Sequence, residues 1–283
     1  MPVYVTEAHV AELLTPADAF AAVESSFGRL ARGGVDNPPR VRTALPGGVL
    51  AVMPCVDREL GYAGSKTYTW LPGGTSFLVV LFSLATGELV AVVEADLLGQ
   101  LRTAAASAVA ARWLARDGAR TLGVFGTGRQ AASHVTALRA VLPSIEQVHT
   151  AGRRADLAER RAAGGCDVVV TATTSNEPVL RGEWLREGAL VCAIGANDPE
   201  SRELDDAVLE RASFVCTDSR DQAQLEAGDL IGRVDWARVH ELQDVVAGTL
   251  PGRTDEREIA LFKSNGLAAW DLAAAARVVE ILS

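Results

Sequence analysis

Apolar positions Ala19, Phe20, Val23 and Phe27 recur at helical spacing behind Thr15-Pro16-Ala17-Asp18. Thr15 is placed to cap and Pro16 falls at the first helical position, so the spacing predicts a helix of about four turns that ends near Gly33-Gly34. From Val35 to Val93 the rhythm shortens to strand-like runs at 49–53, 63–69, 77–84 and 89–93. The turns Pro46-Gly47-Gly48 and Pro72-Gly73-Gly74 separate them, which predicts a mostly antiparallel sheet. Leu101 to Ala115 reads as an alanine-rich helix that can pack closely on a neighbour. At Arg120 the pattern changes again: TLGVFG is a continuous apolar strand that runs directly into a glycine-opened helix, GTGRQAASHVTALRAVL. A strand over 147–151, a helix over 155–163, strands over 167–172 and 190–194, a helix over 205–211 and a strand over 214–217 follow. That alternation is expected of a parallel, doubly wound sheet. The C-terminal segment, FKSNGLAAWDLAAAARVVEIL, predicts a second alanine-rich helix.

Composition narrows the choice without changing it. The 283 residues are 48% hydrophobic and 5% aromatic with 26 glycines, which suits an α/β chain packed with small and branched side chains and excludes a disordered or fibrous one. With 36 acidic against 27 basic residues the formal charge is -9, so neither nucleic acid nor an anionic membrane is the expected partner, and small-molecule chemistry is. No basic and apolar leader opens the chain and no apolar run reaches spanning length, so a cytoplasmic protein is expected. Cys55, Cys166, Cys192 and Cys216 are scattered in apolar contexts, and the four histidines show no metal-ligand spacing. Reduced core cysteines and no metal are the expectation.

The chemistry concentrates at Gly126-Thr127-Gly128-Arg129-Gln130-Ala131, between a predicted strand and a predicted helix, with Ala131 in place of the third glycine of a dinucleotide fingerprint. The first two glycines permit a tight turn and close approach of the backbone to a pyrophosphate on the helix N-terminus. After the next strand, where an acid would bond both ribose hydroxyls of NAD(H), the chain reads Ala151-Gly152-Arg153-Arg154. Two guanidiniums suit a 2′-phosphate, so NADP(H) is expected in preference to NAD(H).

Taken in order, Val41-Arg42-Thr43, Met53-Pro54, Lys66 in GYAGSK, LRTAAASAVAA from Leu101, GTGRQA from Gly126, VVTATTSNEPVL from Val169, IGANDPESRELD from Ile194 and FKSNGLAAWDLA from Phe262 resemble the ornithine cyclodeaminase/mu-crystallin family over nearly the whole length. The resemblance implies an α/β protein with a Rossmann-type dinucleotide-binding domain over 117–263. It also implies an α+β substrate-binding and dimerisation domain over 1–116, completed by a C-terminal helix over 264–283, and a homodimer. Lys66, Arg102 and an arginine of the PPRVRT segment are then the binders of a substrate carboxylate. Arg40 fits the P-x-R form and Arg42 the V-R-T form, with Arg42 slightly preferred. Three cations around one carboxylate would fix its orientation for hydride transfer. Cofactor contacts are implied at Thr103, Gly126, Thr127, Gly128, Arg129, Gln130, Ala131, Arg153, Arg154, Thr171, Ala172, Thr173, Gly195, Asn197, Ser264 and Gly266.

Two departures from the family pattern stand out. Cyclodeaminases carry an aspartate in the loop after Ile194-Gly195-Ala196 and a second acid shortly before the Met-Pro pair, whereas this chain has Asn197 and Ala51, with Asp198 adjacent to the first. Cyclodeamination wants a carboxylate base. Reduction of an imine that arrives protonated needs only carboxylate binding, orientation and hydride delivery, with Asn197 able to orient the nitrogen. The expected activity is therefore NAD(P)H-dependent reduction of a cyclic ketimine carboxylate of the pyrroline or piperideine type, with Lys66 binding the carboxylate and supplying a proton. An ornithine cyclodeaminase or amino acid dehydrogenase using Asp198, and a non-catalytic dinucleotide-binding protein, remain as alternatives. The second departure is length: 150–167 has room for one helix only, where the family fits a further strand and helix.

Overall fold

The computed structural model describes residues 1–282, and the chain divides into two compact units, Met1–Ala105 with the segment from Gly266 onward, and Ala106–Asn265. The first unit opens with β1 (Val3–Val5), α1 (Glu7–Leu13) and α2 (Pro16–Ala31). It continues through β2 (Val35–Asp36), β3 (Val41–Leu45), β4 (Gly48–Asp57), β5 (Tyr62–Leu71), β6 (Gly74–Ser83) and β7 (Leu89–Glu94) to the start of α3 (Asp96–Leu114). As the spacing predicts, α2 is opened by Thr15, whose hydroxyl accepts from Asp18 N at 3.1 Å, and it ends just before Gly33, at φ +73°. The seven strands run β1-β7-β6-β5-β4-β2, with β3 also on β4, and all pairs are antiparallel except β1 with β7.

Register decides which side chains share a face. Met53, Lys66, Val79 and Val93 lie side by side across β4, β5, β6 and β7, on the face covered by the C-terminal helix α9 (Ala268–Leu282). There Phe27 of α2 meets Trp270 at 5.1 Å between ring centroids, both fully buried, and each such side chain contributes about 1.5–3 kcal/mol through burial. The opposite face carries Val52, Thr67, Leu78, Val80 and Phe82, with Leu78 and Phe82 exposed.

The second unit contains β8 (Thr121–Phe125), α4 (Arg129–Val141), β9 (Gln147–Ala151), α5 (Leu157–Gly164), β10 (Val168–Thr171) and β11 (Leu190–Ala193). It continues with α6 (Asp206–Arg211), β12 (Phe214–Thr217), α7 (Arg220–Glu226), β13 (Val239–Glu241), α8 (Leu242–Val246) and β14 (Ala260–Lys263). Its seven strands are all parallel, in the order β13-β12-β14-β11-β10-β8-β9, a Rossmann-type sheet whose central strands are buried on both faces. Between β9 and β10 there is the single helix α5, and β9 is the sheet edge. α5 crosses close to β8 because residue 123 is glycine: a Cβ there would sit 1.8 Å from Ala163 O.

One expected element is corrected. The C-terminal helix does not begin at 264; Phe262 and Lys263 belong to β14, inserted between β11 and β12, and the helix starts at Ala268. The Asp218 carboxylate, which accepts from Ser264 Oγ at 2.9 Å and Asn265 N at 2.8 Å, fixes the chain where it leaves the strand, and Gly266 follows at φ +83°.

Candidate active site

In the first unit, β5 presents Lys66 to the α9 face, and α3 brings Arg102 to the same carboxylate. Asp271 Oδ1 accepts from Lys66 Nζ at 2.7 Å and from Arg102 Nε at 3.0 Å, with Lys66, Arg102 and Asp271 3%, 7% and 0% exposed. Glycines provide the room: a Cβ at Gly99 would meet Lys66 Nζ at 3.3 Å, and one at Gly266 would meet Arg102 Nη1 at 2.9 Å. Phe77 lies under Lys66, 5.3 Å from Nζ to ring centroid, and Trp270 under Arg102 at 5.9 Å.

The sequence slightly preferred Arg42 to Arg40, and strand register separates the two. Arg42 pairs with Ala51, on the Lys66 face but one row further out, and is exposed. Arg40, two residues back towards the Met53–Lys66 row, is half-buried with its guanidinium 5.8 Å from the Tyr68 ring. It also lowers the Lys66 pKa. The Lys66 ammonium is held down to about 8, chiefly by burial and then by Arg102 and Arg40, while Asp271 pulls it up. Lys66 and Arg102 therefore share the Asp271 carboxylate with the Arg40 guanidinium near enough to act on Lys66, and this grouping of cations in a water-poor place suits an incoming carboxylate. Asp271 lies within FKSNGLAAWDLA, but nothing in an alanine-rich helix pattern marks that aspartate as the partner of a lysine 205 positions away.

In the second unit the glycine-rich loop opens a cavity of about 600 Å³ whose wall includes Phe125, Gly126, Thr127, Gly128, Ala151, Gly152, Arg153, Arg160, Ala172 and Thr173. Gly126 has φ +121°, and a Cβ there would sit 2.5 Å from Ala172 O. Gly128 is the N-cap of α4 without a side-chain cap, leaving the first backbone N–H groups directed outward. Arg129 is exposed, Gln130 half-buried and Ala131 buried against the sheet. Below them His134 is buried; its Nδ1 donates to Gln130 O at 2.7 Å, its Nε2 meets Ser107 Oγ at 3.0 Å, and burial holds its pKa down to about 4.

Of the two arginines singled out in the sequence, Arg153 lines the cavity, and Arg154 is exposed outside its wall. The second guanidinium at the cavity is Arg160 of α5, whose Nε donates to Ala155 O at 3.1 Å and Nη2 to Arg153 O at 3.2 Å. Only the fold of the short β9–α5 connection brings it there, seven residues beyond Arg153.

The other residues implicated by sequence are placed as follows. Thr103 donates its hydroxyl to Gly99 O at 2.6 Å within α3. Thr171, Thr173 and Gly195 gather on the carboxylate of buried Glu203, and Ser264 bonds Asp218. Asn197 is exposed, and Asp198 is turned into its own loop, Oδ1 accepting from Glu200 N at 3.0 Å.

A strand-turn-helix with a glycine at positive φ, an uncapped helix N-terminus and two guanidiniums at the cavity wall fit a nicotinamide dinucleotide, and the fold is that of NAD(P)-binding oxidoreductases. Residues 2–163 and 154–283 match the ornithine cyclodeaminase/mu-crystallin family, and the chain belongs to it. It is 36% identical to a Delta(1)-pyrroline-2-carboxylate/Delta(1)-piperideine-2-carboxylate reductase of Azospirillum brasilense, over 94% of this chain and 92% of that protein. Among solved structures it resembles an archaeal alanine dehydrogenase dimer with bound NAD (TM-score 0.92, 33% identity, 99% of this chain and 95% of that one). It also resembles the Thermococcus litoralis Delta(1)-pyrroline-2-carboxylate reductase in complex with NADH and L-proline (TM-score 0.91, 27% identity, 98% and 96%).

Proposed function

We propose that the protein is an imine reductase that uses NADP(H) to reduce a cyclic ketimine carboxylate, pyrroline- or piperideine-2-carboxylate, to the cyclic amino acid. The observation that carries this reading is the buried Lys66–Arg102 pair on Asp271 with the half-buried Arg40 beside it, together with Asn197 at the loop position where cyclodeaminases carry an aspartate. Lys66, Arg102 and Arg40 would clamp the carboxylate; Gly126, Gly128, Thr127 and Thr173 would hold the dinucleotide. The reduced nicotinamide supplies the hydride, which adds to the C=N carbon while the iminium nitrogen keeps its proton and becomes the amine. Where the imine arrives neutral, Lys66 is the group near enough to neutral pKa to supply that proton. Asp198, the acid that ornithine chemistry would call on, has one oxygen engaged by Glu200 N in its own loop. NADPH consumption with the two imines, run beside ornithine plus NAD with ammonia detection, tests the reading. Rapid consumption with an imine and no ammonia from ornithine is expected, and the reverse result would overturn it.

The dinucleotide preference rests on Arg153 and Arg160, with no acid at the end of β9 to repel a 2′-phosphate. Replacing both by Ala is expected to raise the KM for NADPH about 30-fold and leave that for NADH within about twofold, since only the phosphate contacts are lost. Equal effects on both dinucleotides would remove the assignment.

The exposed, apolar face of the first unit's sheet is assigned to a second copy of the chain, in keeping with the dimeric archaeal relative. Leu78→Glu combined with Phe82→Glu is expected to give a folded monomer by light scattering. A wild-type monomer would contradict the assignment.

A further inference from the structure

We propose that Glu203 is the positioning residue that shapes the dinucleotide cavity, by holding the loops after β10 and β11 on one buried carboxylate. Oε1 accepts from Thr173 N and Thr173 Oγ1, both at 2.7 Å, and Oε2 accepts from Thr171 Oγ1 at 2.8 Å, Gly195 N at 2.7 Å and Ala196 N at 3.3 Å. Three of these five donors are backbone N–H groups, which cannot accept, and they are divided between the two oxygens. Both oxygens must therefore remain acceptors, which only a carboxylate provides.

The close fit extends to the neighbours. Gly195 is glycine where a Cβ would lie 2.5 Å from Glu203 Oε1 and 2.2 Å from Thr173 O. Thr173 and Ala172 line the cavity, and Ala172 O is the atom against which Gly126 turns. Glu203 is itself anchored, its N and Leu204 N donating to Asp229 Oδ1 at 2.7 and 3.0 Å. Asp229 Oδ2 lies 3.4 Å from Lys263 Nζ, and that ammonium also bonds Ala193 O and Ala196 O. Glu203, Asp229 and Lys263 are all fully buried, so the carboxyl ends of β10, β11 and β14 are tied by charges that water does not reach. Burial, with a smaller contribution from Asp229, leaves the Glu203 carboxyl above its usual range although Lys263 and Thr173 pull it down, so its charge depends on those partners rather than on solvent. Such a network fixes geometry, because the backbone N–H groups of Thr173, Gly195, Ala196, Glu203 and Leu204 donate to its two carboxylates, which apolar side chains could not replace.

The inference rests on the dinucleotide reading of the cavity, and one experiment separates the two. NADPH binding is followed by protein fluorescence for the wild type, Glu203→Gln and Thr171→Val, alongside Tm and steady-state KM values. A glutamine must turn its NH2 towards a backbone N–H on one side or the other, so one loop moves. The expected result is an NADPH Kd about tenfold weaker in Glu203→Gln, with the KM for the imine within about twofold. Thr171→Val removes one donor without touching the cavity wall and is expected to weaken NADPH about threefold. If both variants fold with lowered Tm and bind NADPH as the wild type does, Glu203 is structural only and the proposal is overturned. If Glu203→Gln does not fold, Thr171→Val decides by the same criterion. A wild type that binds no dinucleotide overturns the reading of the cavity instead.

Discussion

Replacing Lys66 by Met is expected to lower kcat/KM for a cyclic imine carboxylate by about 10²–10³, because a buried, charge-assisted bond to the substrate is lost from a site with no water to replace it. Methionine keeps most of the side-chain volume, and Asp271 keeps Arg102 as its partner, so the fold should persist and the loss should appear in activity rather than in expression. Unchanged turnover in a folded variant would remove Lys66 from the carboxylate clamp. The wild type should also show a specific pH limit. With the ammonium held down to about 8, the protonated form that binds a carboxylate is present below that pH and lost as pH rises through it. kcat/KM should therefore fall on the alkaline side near pH 8. An Arg at this position, which stays charged, should move that limb upward or abolish it. A limb that is identical in the Lys66→Arg variant would assign the titration to another group.

The two units were legible in the sequence to different depths. Five strands of the parallel sheet could be read, most of them because they are continuous apolar runs, while β13, three residues long, was not; α2 could be read because Thr15 and Pro16 mark its start. β14 was hidden: its four residues abut an alanine-rich helix, and only tertiary pairing with β11 and β12 separates strand from helix. α1, seven residues with Val10 alone buried, offers too little periodicity to be seen.

The site shows the same division between local and non-local signals. Lys66, Arg102 and the Gly126 loop stand in motifs that can be quoted from the sequence. Glu203 and Asp271 lie inside quoted segments, IGANDPESRELD and FKSNGLAAWDLA, yet neither is marked there, and Arg160 lies in none; what singles them out is their partners, which the fold brings in from elsewhere. Arg40 and Arg42, two residues apart, fall on the same face by alternation, and only their different burial and the Arg40 contacts with Tyr68 and Lys66 tell them apart.

The sharpest separation of a glycine needed by the fold from a glycine needed by a ligand comes from the loop itself. Gly126→Ala places a Cβ 2.5 Å from Ala172 O at φ +121°, a conformation L side chains rarely adopt, so the loop must move. Both a lowered Tm and loss of NADPH binding by about 100-fold or more are expected, the latter because the pyrophosphate seat is displaced. Gly128 differs: its φ is -84° and a Cβ there would meet nothing within 4 Å. Gly128→Ala should therefore leave Tm unchanged and still weaken NADPH by about tenfold, because the methyl group occupies space that an approaching phosphate needs. Calorimetry and fluorescence titration on the two variants check this. If Gly128→Ala binds as the wild type does, the pyrophosphate does not approach α4 at its N-cap, and the dinucleotide must be seated elsewhere in the cavity.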